Sequence, residues 1–348
     1  MSNKTKKNNS GLMAVLIVFA VIGVISVVGA GVFGVTRLVK TVSDKAEVPS
    51  NEVDASPSPQ EVLTIELEKE AAQGGSNEAE TFLSEEDVPE ILASVEEDRD
   101  VHEDGKFQIV VLGDSVYDNF RDETGIAYKL ATELDANVYN LAIGGTSASV
   151  PRDYNYYSDE ALSETCGMAV AKIIAGRTPI DAIYDCTAKS IIRDNMDKFK
   201  DTDLFIVEYG INDFLAARDQ NNPDDNTDPR TYEGALRHIL NALKEVNPDV
   251  KILLCAPSYV EFYRPNGEYI GNSNNLNNGL GTLRDFGNKM EYVSGDYGAY
   301  FFPLDSQGLG FDNSYETMLD DVHPNEKGRE IYAANLIDFI KTNILHEE

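Results

Sequence analysis

The chain has 348 residues, a length that accommodates one or two domains with a full hydrophobic core. Its 60 Asp and Glu against 29 Lys and Arg give a formal net charge of −31, which disfavours nucleic acid as a partner because binding it depends on basic side chains that neutralise phosphates. The three cysteines lack the close spacing of a zinc site or a Cys-x-x-Cys redox pair, and we expect neither a metal nor another cofactor.

The N-terminal part of the chain predicts a membrane anchor. Residues 1–10 are polar and basic, and residues 11–35 contain no charged side chain. As a helix, these 25 residues would be about 37 Å long, enough to cross a hydrocarbon core of about 30 Å. A cleaved signal peptide is the alternative, because Val28-Gly29-Ala30 resembles a cleavage site, but the run exceeds the usual apolar length of about 7–15 residues. We expect a single-pass protein of the cell membrane, with its main domain outside the cell.

Residues 36–104 predict an acidic, largely disordered linker. Residues 41–104 contain 20 Asp and Glu against three Lys and Arg, a local net charge of −17, and prolines and glycines interrupt them. A segment with low hydrophobicity and high like charge cannot offset the entropy of ordering its backbone. Self-repulsion would keep this tether extended.

Residues 105–348 predict one α/β domain. Apolar runs typical of strands alternate with helical patterns, which indicates a mostly parallel sheet covered by helices on both faces. Between the second and third strands, residues 145–202 are long for one crossover and predict an insertion. The predicted strands are 107–112, 137–142, 203–209, 250–255 and 299–303, and the predicted helices are 118–134, 159–175, 189–199, 231–246, 275–292 and 325–344.

Polar residues follow four of the predicted strands. Ser115 comes directly after the first strand, Gly145 after the second, Asn212 after the third, and His323 after the last. In an open α/β sheet, the carboxyl ends of the parallel strands meet at one edge, where such sheets bind their ligands. We therefore expect these four residues to converge there.

These residue types are those of acyl transfer through a serine. A serine hydroxyl is a weak nucleophile that needs a base within hydrogen-bond reach, and His323 is the best-placed candidate. Asp320, three residues earlier, lies close enough in a turn to orient the imidazole ring. The backbone N–H groups of Ser115 and Gly145 and the side-chain amide of Asn212 would bind the oxyanion. Gly144 is an alternative to Gly145, and Asp321 is an alternative to Asp320.

Four sequence blocks in this order resemble the SGNH, or GDSL-type, hydrolase family over about residues 105–346. The blocks are Gly113-Asp114-Ser115, Asn140 through Gly145, Gly210-Ile211-Asn212-Asp213 and Asp320-Asp321-Val322-His323-Pro324. The resemblance implies a three-layer α/β/α sandwich with a flavodoxin-like sheet. It also implies that Ser115 is the nucleophile, His323 the base, Asp320 its orienting acid, and Ser115, Gly145 and Asn212 the oxyanion hole.

Each block also has a purely structural interpretation. Gly113-Asp114-Ser115 alone is typical of a strand-to-helix turn with a helix cap, and the glycine-rich blocks are typical of tight turns. Asp320, Asp321 and His323 could hold a metal, but such a group more often caps a helix. The four blocks together favour catalysis.

The substrate is predicted less directly. The insertion and the region around residue 260 are rich in tyrosine, whose rings suit sugar faces as well as lipid heads. Surface-anchored members of the family commonly act on the O-acyl groups of glycans, so the resemblance implies deacetylation of an extracellular or cell-wall glycan. The alternatives are a lysophospholipase or thioesterase, a glycan O-acyltransferase, and a catalytically silent glycan-binding protein. Cys166 and Cys186 both lie in the insertion and could pair outside the cell.

Overall fold

The computed structural model describes residues 105–346 of the chain. The predicted basic tail (1–10), membrane span (11–35) and acidic linker (36–104) lie outside these residues, as do the last two residues of the predicted domain. Within 105–346, no helix is both long and apolar enough to cross a membrane.

Five parallel strands form the central sheet, and they correspond to the five predicted strands. The strands are β1 (Gln108–Gly113), β2 (Asn137–Asn140), β3 (Leu204–Glu208), β4 (Lys251–Cys255) and β7 (Tyr300–Phe302). Every residue of β1 and β3 is buried, as expected for apolar strands that are covered on both faces. Their order across the sheet is β2-β1-β3-β4-β7. This is the flavodoxin-like order, with the switch point next to β1.

Helices cover the two faces of the sheet. They are α1 (Ser115–Asp118), α2 (Ile126–Glu133), α3 (Gly167–Ile174), α4 (Thr187–Asn195), α5 (Ile211–Leu215), α6 (Tyr232–Val246), α7 (Leu283–Tyr297), α8 (Ser314–Thr317) and α9 (Glu326–Ile340). Short 3₁₀ turns occur at Ile180–Ala182, Met196–Asp201 and Leu304–Ser306, and a π-helical turn, Lys341–Leu345, follows α9.

The long helices form two groups. Helix α2 packs against α9, whereas α6 packs against both α3 and α7. Helix α3 also contacts β1, and α7 contacts β4 and β7. The prediction of an α/β fold with a mostly parallel sheet is therefore confirmed, and the carboxyl ends of the five strands lie at a single edge.

Three helix predictions were wrong in their extent. The predicted helix 159–175 begins only at Gly167. The predicted helix 118–134 is two helices, α1 and α2, because the chain turns between them. A Cβ atom on Gly125 would lie 2.1 Å from the carbonyl oxygen of Phe120, so glycine is required at this turn. The predicted helix 275–292 begins only at Leu283, because Thr282 and Asp285 form a capping box there.

The sequence patterns did not predict a small antiparallel hairpin. Strands β5 (Glu261–Tyr263) and β6 (Tyr269–Asn272) pair with each other outside the main sheet. The turn between them contains Gly267 at a φ of +82°, and the Gly267 N–H donates to the carbonyl of Arg264 at 2.7 Å. The hairpin stands beside the loop that carries His323, since the Glu261 N–H donates to the Asp321 carbonyl at 2.9 Å.

The insertion between β2 and β3 is held by buried charges rather than by a disulfide. Lys172 Nζ lies 2.5 Å from Asp159 Oδ1, and Arg177 pairs with the same carboxylate. Removing one partner of such a cluster would leave an uncompensated buried charge. Cys166 and Cys186, whose pairing the sequence left open, are both free thiols in the structure. Burial raises the pKa of the Cys166 thiol to about 12.

Candidate active site

Ser115 lies at the carboxyl edge of the sheet, at the first position of α1. The preceding residue, Asp114, caps this helix, and its Oδ1 accepts a hydrogen bond of 3.1 Å from the Val116 N–H. Gly113 lets β1 approach β3 closely at this point, since a Cβ atom there would be 3.3 Å from the Glu208 carbonyl oxygen. The local sequence therefore holds the Ser115 side chain at a fixed place above the strand end.

His323 lies in a closed turn that precedes α9. The Leu319 N–H donates to the His323 carbonyl at 2.8 Å, and Met318 and Pro324 form an isolated antiparallel bridge. Asn325 then caps α9, its Oδ1 accepting a 3.0 Å hydrogen bond from the Gly328 N–H. The turn and the cap fix the backbone on both sides of the imidazole ring.

The imidazole of His323 joins Ser115 to Asp320. Its Nε2 lies 2.9 Å from Ser115 Oγ, and its Nδ1 lies 2.9 Å from Asp320 Oδ2 and 3.1 Å from Oδ1. Asp320 Oδ1 also accepts the backbone N–H groups of Val322 at 2.8 Å and of His323 at 2.6 Å. Burial alone would raise the pKa of Asp320, but the hydrogen bonds and the charge of His323 outweigh burial, and the pKa is lowered. Asp320, rather than Asp321, is therefore the carboxylate that contacts this ring on the side away from Ser115.

Two backbone N–H groups near Ser115 are directed to no other acceptor. Among residues 105–346, neither the Ser115 N–H nor the Gly145 N–H donates a hydrogen bond to another protein group. The Gly144 N–H, in contrast, donates to Asp118 Oδ2 at 2.7 Å. Of the two alternatives, Gly145 is therefore the glycine that is available as a donor. Its φ of +73° is the left-handed conformation that glycine adopts without strain.

Asp118 and Arg121 hold the Gly144-Gly145 turn, and neither was predicted from the sequence. Arg121 Nε donates to Asp118 Oδ1 at 2.9 Å, while its two terminal nitrogens donate to the carbonyls of Asn140 and Ala142 at 2.9 and 2.8 Å. Asp118 thus links α1, which begins with Ser115, to the turn after β2. The three-residue spacing of Ser115, Asp118 and Arg121 was the signal that could have identified them.

Asn212 reaches the site from α5, but its amide already has two acceptors. Its Nδ2 donates to Asp114 Oδ2 and to the Thr146 carbonyl, both at 3.1 Å. The turn before it requires Gly210, which has a φ of +134° and where a Cβ atom would lie 2.6 Å from Pro257 Cγ. The structure therefore places Asn212 beside the site with both amide hydrogens bound internally.

Three buried carboxyl groups lie beneath this edge of the sheet: Asp114, Glu208 and Asp213. Burial raises the pKa of Asp114 to about 6, against the opposing effects of the Val116 N–H and of His323. Burial also raises the pKa of Glu208, with the charge of Asp114 adding to the effect, and the pKa of Asp213. Asp213 accepts hydrogen bonds from Ala148 N at 2.8 Å and from Ser149 Oγ at 2.6 Å, so it ties the insertion to α5.

The raised pKa of Asp114 predicts a pH-dependent stability difference for the Asp114→Asn variant. Well below the ordinary pKa of 3.8, the wild-type carboxyl is neutral in both the folded and the unfolded state. Between pH 4 and pH 6 the folded state binds more protons, so the free energy of unfolding that this group contributes falls as the pH rises. The Asn side chain does not titrate, so the free energy of unfolding of the variant does not fall in this way as the pH rises. We therefore expect its urea midpoint, relative to wild type, to be higher at pH 7 than at pH 4.

The substitution also removes the hydrogen bond from Asn212, which destabilises the variant at both pH values. Comparing pH 4 with pH 7 separates this constant loss from the pH-dependent effect of the Asp114 carboxyl. Asp338→Asn, on the exposed side of α9, is the matched control for removing one carboxylate. A midpoint difference for Asp114→Asn that stays constant between pH 4 and pH 7 would show that the folded state does not hold this carboxyl protonated.

The structure thus brings the predicted residues Ser115, Asp320 and His323 into one hydrogen-bonded chain, with Gly145 and Asn212 beside it. Within residues 105–346, no group of three or more His, Cys, Asp or Glu side chains is arranged to hold a metal ion.

Comparisons with known proteins show the family of the chain and a similar fold. The model of the GDSL-like Lipase/Acylhydrolase family matches residues 111–331, more than half of the chain. A crystal structure of a protein from Lactobacillus plantarum has a similar fold, with a TM-score of 0.50 and 20% identity over 69% of this chain and 98% of that chain. No curated protein matches the chain in sequence.

Two further solved structures are similar at lower scores. One is a possible lipase from Chitinophaga pinensis, with a TM-score of 0.44 and 19% identity over 68% of this chain and 98% of that chain. The other is Est24, a carbohydrate acetylesterase from Sinorhizobium meliloti, with a TM-score of 0.44 and 13% identity over 68% of this chain and 99% of that chain.

Proposed function

The chain belongs to the GDSL-like Lipase/Acylhydrolase family and is a carboxylic ester hydrolase, and on this basis we propose that it deacetylates a glycan through an acyl-serine intermediate. In this proposal Ser115 is the nucleophile, His323 is the general base and Asp320 orients His323. The observation that carries the proposal is the 2.9 Å contact between His323 Nε2 and Ser115 Oγ, with Asp320 on the opposite nitrogen of the ring.

The reaction follows from this geometry. As Ser115 Oγ attacks the ester carbonyl, His323 Nε2 takes the hydroxyl proton, and the Asp320 carboxylate stabilises the imidazolium that forms. Collapse of the tetrahedral intermediate breaks the bond to the alcohol oxygen, which receives the proton from His323. Water then attacks the acyl-serine while His323 takes its proton. Collapse of the second intermediate breaks the bond to Ser115 Oγ, which regains the proton from His323, and the carboxylic acid leaves.

The oxyanion of the tetrahedral intermediate is held by backbone donors. The N–H groups of Ser115 and Gly145 are free of other acceptors among the described residues, which supports this role. Asn212 becomes a third donor only by releasing or sharing one of its bonds to Asp114 or to Thr146. Once Asp114 is ionised, the neutral Thr146 carbonyl is the weaker of the two acceptors of the Asn212 amide. We propose that the negative charge developing on the substrate oxygen attracts the amide hydrogen away from this carbonyl.

A small acyl group is supported by the insertion. Tyr184 lies beside the oxyanion turn, with its hydroxyl 3.4 Å from the Gly144 carbonyl oxygen, and it remains half exposed. A Cβ atom on Gly144 would be 3.8 Å from Ser115 Cβ, so this turn and its tyrosine border the nucleophile directly. We propose that the ring of Tyr184 limits the length of the acyl group that fits beside Ser115.

The location of the enzyme is part of the proposal. The apolar run 11–35 supports a single-pass anchor in the cell membrane, and the acidic residues 36–104 support a tether between it and the hydrolase domain from residue 105 onward. The domain would then act outside the cell, where cell-wall and exported glycans are found.

Acetate release from surface glycans tests the proposed function. The purified full-length protein would be incubated with extracted, O-acetylated glycan, and free acetate would be measured over time. We expect acetate release by the wild-type protein and a preference for acetyl over longer acyl groups on nitrophenyl esters.

Each alternative function gives a different result in the same experiment. Rates that rise with acyl-chain length would favour a lysophospholipase or thioesterase. Transfer of acetyl groups to an added sugar, in place of acetate release, would favour an acyltransferase. Glycan binding without turnover, and without labelling of Ser115 by a fluorophosphonate probe, would indicate a silent binding protein.

A further inference from the structure

A cavity adjoins the proposed catalytic residues on the side of Asp320. It has a volume of about 410 Å³ and lies between the β5–β6 hairpin and the segment that leads to His323. We call it the acidic groove, and its wall includes Glu261, Tyr263, Phe311, Tyr315, Asp320 and Asp321. The proposed mechanism uses only one of these residues, Asp320.

The groove lies on the side of the site where the alcohol half of the ester must be. His323 Nε2 contacts Ser115 Oγ and must also protonate the leaving alcohol oxygen, so the alcohol departs beside the imidazole ring. Asp320 lies on the far side of that ring from Ser115, and its side chain is 45% exposed. An alcohol that extends across His323 therefore enters the acidic groove.

The charge of the groove is negative. Glu261, Asp320 and Asp321 contribute three carboxylates, and no residue of the groove wall is Lys, Arg or His. Glu261 is buried and accepts the hydroxyl groups of Tyr259 at 3.1 Å and of Tyr263 at 2.5 Å. These neutral donors hold the carboxylate in place without cancelling its charge.

Aromatic rings form the other part of the wall. Tyr263 packs against Tyr269 with ring centroids 5.5 Å apart, and Tyr269 packs against Phe311 at 5.8 Å. Phe311 is 58% exposed and Tyr315 is 81% exposed, so both present ring surface to solvent beside the carboxylates. Ring faces together with carboxylates are the chemistry that binds an amine or a quaternary ammonium group, through cation–π and ionic contacts.

We propose that the acidic groove binds the alcohol half of the substrate and selects an alcohol that carries a positive charge. For the glycan substrate proposed above, on which this inference rests, the alcohol would be a sugar with a free amino group. The groove would disfavour esters of anionic alcohols, because their charge would face three carboxylates.

Two esters of the same shape test the charge preference. Acetylcholine has a positively charged quaternary nitrogen at the position where 3,3-dimethylbutyl acetate has a neutral quaternary carbon. With the full-length protein at low ionic strength, we expect kcat/KM for acetylcholine to be at least about tenfold higher. Added salt should reduce this ratio, because screening weakens ionic attraction.

Variants of the groove test which residues carry the preference. Asp321→Asn and Tyr315→Ala should each lower the ratio of the two kcat/KM values by about threefold or more, mainly through the KM for acetylcholine. Tyr292→Ala is the matched control, since Tyr292 is 57% exposed on α7 and lies outside the acidic groove. It should leave the ratio unchanged.

The outcomes distinguish this inference from the proposed function. Hydrolysis of both acetyl esters at equal rates, or a ratio that neither groove variant changes, would overturn the charge selection and leave the hydrolase intact. An absence of turnover with either ester would contradict the proposed deacetylation itself. Faster hydrolysis of the neutral ester would show that the groove excludes cations.

Discussion

Replacing Ser115 with alanine is expected to lower kcat on an acetyl ester by about three decades or more. The variant keeps the oxyanion donors but has no oxygen for His323 Nε2 to activate, so the acyl-serine cannot form. Nitrophenyl acetate hydrolysis by the purified full-length protein provides the rate. Intact-protein mass spectrometry after fluorophosphonate treatment should show one adduct on the wild type and none on the variant.

A second serine provides the matched control for this experiment. Ser163→Ala removes an exposed hydroxyl from the insertion and should leave both the rate and the fluorophosphonate adduct unchanged. The urea midpoint of Ser115→Ala should remain close to that of the wild type, because Ser115 has no buried partner other than the His323 ring. If Ser115→Ala keeps its wild-type rate, another group must be the nucleophile.

The Asp320→Asn variant is expected to lower kcat by about 10²–10⁴. The amide oxygen can still accept the N–H groups of Val322 and His323, so the turn should keep its shape. The amide nitrogen, however, would face His323 Nδ1 and donate to it. That reverses the tautomer, puts the ring proton on Nε2, and leaves no acceptor for the Ser115 hydroxyl. Near-wild-type KM with a reduced kcat is the expected pattern.

Comparison with the neighbouring acid makes this prediction specific. Asp321→Asn, which removes the alternative partner from the same turn, should reduce kcat on a neutral ester far less than Asp320→Asn does. Asp338→Asn on the exposed side of α9 controls for the loss of one negative charge. Equal losses in Asp320→Asn and Asp321→Asn would show that the two acids share the role assigned to Asp320.

The sheet could be predicted from the sequence because its strands are buried on both faces. The runs that became β1, β3 and β4 are continuous and apolar, and this pattern depends little on context. The break between α1 and α2 could not be located from helical periodicity, because it depends on how closely Phe120 approaches Gly125. The β5–β6 hairpin was missed because its strands have only three and four residues, although the turn residue Gly267 was a local signal.

For the candidate site, residue types and their order were informative, whereas hydrogen-bond directions were not. Ser115, Asp320 and His323 could be proposed because each follows a predicted strand at the same edge. The choice between Gly144 and Gly145 depends on Asp118 Oδ2, which takes the Gly144 N–H. The acceptors of the Asn212 amide likewise depend on the orientation of Asp114 and Thr146, which only the folded chain fixes.

The distance along the chain between Ser115 and His323 has a consequence for biosynthesis. The two residues are 208 positions apart, and every strand of the central sheet after β1 is made between them. A nascent chain that has not reached residue 323 contains Ser115 without the base that the proposed mechanism needs, so we expect it not to cleave esters. Under the proposed mechanism, activity therefore requires the chain to be made at least to residue 323, so that the turn before α9 can bring the imidazole to Ser115.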